Sequence, residues 1–146
     1  MSPEALSLVR EVVLLLHCCL SIPEPVSVRD TIAPTFDRPG MSAWIERKDD
    51  KWTIYLTPEG ARNIRNGVKR PKDIAAHELC HVLDVDVYNR WGMLSNKNRA
   101  KAHAKINECA ANTVQKRDAW VRRQRTKRMT VLRRVEPCSI VVSEKA

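Results

Sequence analysis

The string His77-Glu78-Leu79-Cys80-His81 holds two imidazoles at positions i and i+4. On a helix these are neighbours on one face, so both rings can reach one divalent ion at about 2.0–2.1 Å. Glu78 lies about 100° round the helix from His77 and flanks the ion without binding it. That is where a general base stands to take a proton from an activated water. The plainer alternative is two surface histidines on a charged helix. Ala75, Ala76, Leu79, Cys80, Val82 and Leu83 argue against it, because they make the segment mostly buried. Two buried imidazoles and a carboxylate need partners, and a metal satisfies all three.

A catalytic zinc site uses three protein ligands and keeps one position open. No histidine follows in the HExxHxxGxxH arrangement. Asp84 lies on the same helix, and His17 reads as the polar stripe of an apolar helix. Glu108 on the next long helix is the assigned third ligand. Ala100, Ala104, Glu108 and Ala111 recur at i, i+4, i+8 and i+11, a stripe of small residues that would let two helices approach closely. Asn112, one turn on, could hold a ligand imidazole by its second nitrogen. His103 lies about 140° from Glu108 on a regular helix, so the two cannot easily share an ion. Surface pairing of Glu108 with Lys101 or Lys105 is the alternative.

These residues must be positioned by a small α+β domain. Ser2 and Pro3 open a helix that ends before Pro23. Residues 26–33 are β-prone. A turn region with Pro34, Pro39 and Gly40 follows, and then two short runs, Met41 to Arg47 and Trp52 to Thr57, form a hairpin across Asp49-Asp50. Pro58 to Gly67 is a short helix or link. Pro71 opens the metal helix, with Asp73 in its favourable first turn. A long helix spans about 97–118, and Cys138 to Val142 is strand-like. The expected fold is a three-stranded sheet packed against the N-terminal helix, the HExxH helix and a Glu-bearing helix. Residues 1–118 form the domain and 119–146 a basic extension.

His77-Glu78-x-x-His81 followed by Ile106-Asn107-Glu108-x-x-x-Asn112 resembles the gluzincin zinc metallopeptidases, most of all the small cytoplasmic ImmA/IrrE-type enzymes and minigluzincins. Thermolysin-like members carry an acidic residue where Asn112 stands, so this chain departs there. The resemblance covers about residues 41–118. It implies hydrolysis of a protein or peptide substrate, one catalytic Zn2+, and a strand beside the cleft, Trp52 to Thr57, that pairs with extended substrate. It also implies an oxyanion-stabilising residue, for which Tyr88 is the candidate and His103 the poorer one.

Charge supplies a second theme. The chain of 146 residues carries +9, and the window from Lys116 to Arg134 holds nine basic residues against Asp118 alone. Such a block suits an anionic partner such as nucleic acid, or simply a solvated tail. A nucleic-acid-associated protease is therefore an alternative function. SprT-type repair proteases combine these features, but their downstream histidine pattern is not evident in the sequence. A non-catalytic zinc-binding module is the third reading, which the intact Glu78 disfavours. The five cysteines fit no disulfide framework and no CxxC occurs, which points to free thiols in a reducing cytoplasm. Cys80 and Cys109 read as small helix-packing residues. The apolar stretch from Val12 to Leu20 is too short to span a bilayer and lacks the features of a signal peptide, so no membrane partner is expected.

Overall fold

The computed structural model describes residues 3–31 and 41–127. Along the chain run α1 (Pro3–Cys19), β1 (Val26–Asp30), β2 (Ala43–Lys48), β3 (Lys51–Leu56), α2 (Pro58–Arg65), α3 (Pro71–Leu83), α4 (Val85–Arg90), a 3-10 turn (Trp91–Met93) and α5 (Asn96–Lys127). The fold class is α+β, as the sequence implies. The Ser2 cap, the Pro34–Gly40 turn, the Cys138–Val142 strand and the basic residues from 128 on lie outside the described residues.

The sheet has the order β1-β3-β2. β1 runs parallel to β3, with Val28 opposite Ile54, while β2 runs antiparallel to it, with Ile45 opposite Ile54. The hairpin turns on Asp49 and Asp50, both at positive φ (53° and 60°). A tight hairpin turn needs that conformation, and aspartate tolerates it better than most residues. On β3 the alternate residues Trp52, Ile54 and Leu56 are wholly buried, as the period of a half-buried strand dictates. Against them pack Val9, Val13 and Leu16 of α1 and Ala75, Ala76 and Leu79 of α3. Strands and helices thus share one core, and α3 sits at its centre, between α1 and α5.

Two polar ties fix the frame around the hairpin. Glu24, ahead of β1, accepts from Arg47 Nη2 at 2.6 Å, from Arg47 Nε at 3.0 Å and from Trp52 Nε1 at 2.8 Å. Those bonds, led by the one from Arg47, hold the Glu24 carboxyl below its ordinary range. Thr57 caps α2 by accepting from Gly60 N at 3.0 Å, and its hydroxyl donates to Met41 O at 2.6 Å. There α2 meets the start of β2 so closely that a Cβ on Gly60 would overlap the Ser42 carbonyl oxygen.

α5 is longer than the sequence suggests. It passes residue 118 without a break and spans 32 residues, about 48 Å. Its Asp118 meets Lys72, at the start of α3, at 2.9 Å.

Candidate metal centre

Pro71 starts α3, and the buried Ile74, Ala75, Leu79 and Val82 set its rotation against the core. That rotation leaves His77 and His81 half-buried at the wall of a cleft of about 1020 Å³, with their rings 5.0 Å apart. Glu78 lines the same cleft and is only 6% exposed. The HExxH spacing therefore does in space what helix geometry requires.

The third group is His103, not Glu108. Its ring lies 5.4 Å from that of His77 and 5.5 Å from that of His81, and one ring nitrogen from each of the three falls within 4.8 Å of the others. Ligand atoms about 2 Å from a shared ion sit at most about 4 Å apart, so modest side-chain rotation closes the set. The group could hold a metal ion. Glu108 is exposed and does not line the cleft. The cause is the rotation of α5. Ile106, Thr113 and Val114 are the buried positions and turn His103, Asn107 and Ala110 toward the cleft. Glu108, about 140° from His103, is thereby carried outward. The small-residue stripe expected to face α3 is not the packing face, since Ala100 and Ala104 are exposed.

The other expected residues are also reassigned. Asn107, rather than Asn112, makes the side-chain hydrogen bond to His77. Asn112 lines a second cavity on another side of α5. Burial above all holds the His77 imidazole below its ordinary range, the nearby His103 and Lys69 charges add to this, and the Asn107 bond opposes it. The resulting preference for neutral imidazole suits a metal ligand. Tyr88 lines the cleft, but its hydroxyl is committed to the β2 backbone. It donates to Ile45 O at 3.4 Å and accepts from Arg47 N at 3.2 Å, and its ring meets Trp52 edge-on at 5.0 Å. These contacts make it a tie between α4 and the sheet, not a free oxyanion donor. The strand beside the cleft is β2, since β3 is central and paired on both sides.

Sequence reasoning missed four contributors. Trp91 packs against His81 (5.8 Å) and His103 (5.1 Å). Arg99 holds that turn in place, donating to Trp91 O at 3.0 Å and Gly92 O at 3.2 Å. Trp44 stacks on Tyr55 at 4.1 Å in the cleft wall, and its indole N–H is buried without a hydrogen-bond partner among the described residues. Such a donor is uncommon in a folded protein. The fourth is a covalent bond. Cys80 and Cys109 form a disulfide joining α3 to α5. The expectation of free thiols is therefore overturned for this pair. Cys80 lies on the buried side of α3 and Cys109 on the facing side of α5, a meeting that depends on helix rotation and leaves no spacing signature.

The chain matches no family model, no curated protein and no solved structure. Three imidazoles beside a buried carboxylate in a cleft form a donor set that could hold a divalent metal ion. Three protein donors also leave room in a tetrahedral shell for one further ligand.

Proposed function

We propose that this protein is a zinc-dependent peptidase in which His77, His81 and His103 hold the ion and Glu78 is the general base. The observation that carries the reading is the convergence of three imidazoles beside a buried glutamate in an open cleft. A structural zinc site has no use for that carboxylate, whereas hydrolysis does. When bound, zinc lowers the pKa of a water toward about 7 and polarises a carbonyl. Glu78 takes the proton of the attacking water and returns it to the departing amine. Asn107 holds one nitrogen of His77 and so fixes which nitrogen faces the ion. Trp91 packs on His81 and His103 and limits their rotation.

A polypeptide substrate is favoured by the cleft wall. β2 has β3 on one side only, and its other edge borders the cleft. An extended peptide laid along Ala43 would gain backbone hydrogen bonds there. Tyr88 closes that edge at Ile45 and Arg47, which bounds the stretch open to pairing. The likeness to gluzincins then extends to the HExxH helix and its base, with a histidine in place of their glutamate ligand.

The test is Glu78→Gln assayed on an unfolded protein substrate. Zinc content should stay at the wild-type level, while cleavage falls by about 10²–10⁴-fold. Undiminished cleavage by pure Glu78→Gln protein would remove the mechanism.

A further inference from the structure

We propose that the Cys80–Cys109 bridge is a thiol–disulfide exchange site whose redox state governs how tightly the centre holds its metal. The inference rests on the metal reading above but not on peptidase activity. Cys80 immediately precedes His81 on α3, and Cys109 follows His103 on α5. The bridge therefore ties together the two helices that supply the three imidazoles. His77 and His81 share a helix and stay aligned with each other whatever α5 does. His103 is exposed at the cleft mouth and depends on the position of α5 for its place.

Access to the bridge is one-sided. Cys80 is 1% exposed, beyond the reach of a reagent. Cys109 is half-buried and lines the second cavity, of about 480 Å³, between the end of α1 and α5. Leu16, Leu20 and Trp120 give that cavity apolar walls and Lys116 a cationic rim, which suits an approaching thiolate. One thiolate of a dithiol attacks Cys109 Sγ, the Cys80–Cys109 bond breaks, and Cys80 leaves as a thiolate that takes up a proton. The second thiolate of the reagent then attacks its own sulfur in the mixed disulfide and releases Cys109. The bridge gains two electrons and two protons, and the dithiol becomes a disulfide.

Opening the bridge leaves α5 docked. The Lys72–Asp118 ion pair and the buried Ile106 and Val114 hold it without the covalent bond. What is lost is the fixed alignment of His103 with the α3 pair. Zinc retention therefore falls while the fold persists.

The experiment is zinc competition against a chromophoric chelator, on the full chain under argon. Air-oxidised wild type is compared with the double variant Cys80→Ala, Cys109→Ala, and with Cys80→Val, Cys109→Ala, which refills the lost volume. Neither variant offers a new thiol ligand at this position. The expected result is zinc affinity lower by about ten-fold or more in both variants, with helicity unchanged by circular dichroism. Peptide mapping of the oxidised wild type should recover Cys80 linked to Cys109, and a dithiol should release it. Equal affinity in bridged and bridgeless proteins overturns the coupling and leaves the metal site standing. Absence of zinc binding in every form overturns both. Unfolding of both variants, or failure to find the linked peptide, overturns the proposal alone.

Discussion

At the scale of single residues, the centre turns on which side chain of α5 meets the α3 pair. His103 and Glu108 lie about 140° apart on one helix, so a given rotation of α5 admits one and excludes the other. Buried Ile106 and Val114 fix that rotation in favour of His103. His103→Ala should therefore lower zinc affinity by at least about ten-fold, whereas Glu108→Ala should leave it unchanged. Metal analysis after dialysis against a weak chelator separates the two, and the reverse pattern would reinstate Glu108. That His77, Glu78 and His81 come together at one cleft was legible in the sequence, because their relation is set by one helix and needs no tertiary information. The third member of the histidine group, His103, was not. Its choice depends on the apolar residues that seat α5, and the alanine spacing pointed to another face. Tyr88 failed as a candidate for a related reason, since a hydroxyl facing a cleft in sequence logic can be consumed by a strand edge in space.

At the scale of elements, the cleft depends on where β2 begins. Ser42 lies just ahead of that strand, and its carbonyl is approached by Thr57 N at 3.1 Å and by the Gly60 backbone. Asn63 Nδ2 also donates to its hydroxyl, at 3.1 Å. Gly60 is thus required for close approach: any side chain would overlap backbone that cannot swing aside. Gly60→Ala should cost about 1–3 kcal/mol by overpacking and shift the wall formed by Ser42 and Ala43. Chemical denaturation reads the first effect, and the second appears as weakened peptide binding at unchanged zinc content. Wild-type stability in the variant would mean that α2 is not wedged against β2. The elements themselves were readable from proline positions, alternating burial and the apolar run of α1. Their arrangement was not, because parallel pairing of β1 with β3 places the hairpin's second strand in the middle of the sheet. That reversal moved the cleft-side edge from Trp52–Thr57 to β2.

At the scale of the molecule, α5 joins the centre to the basic block. Among the described residues no helix is long and apolar enough to cross a membrane. One continuous helix carries His103 near its start and Lys116, Arg122 and Arg125 in its second half, all three exposed. Asp118 does not neutralise them, because Lys72 and Arg117 already bind it, at 2.9 and 3.2 Å. A rod of this kind presents cations at a fixed distance from the cleft, which would bring nucleic-acid-bound protein within reach of the site. The full chain should then bind duplex DNA with an affinity that falls steeply with salt, by about 0.9 log units per log unit of salt for each phosphate neutralised. Charge reversal at Lys116 and Arg125 should make that slope shallower by about 2, with cleavage of a free unfolded substrate unchanged, because both side chains lie outside the cleft. A slope indifferent to the reversal would assign the positive charge to solubility and leave the peptidase reading intact.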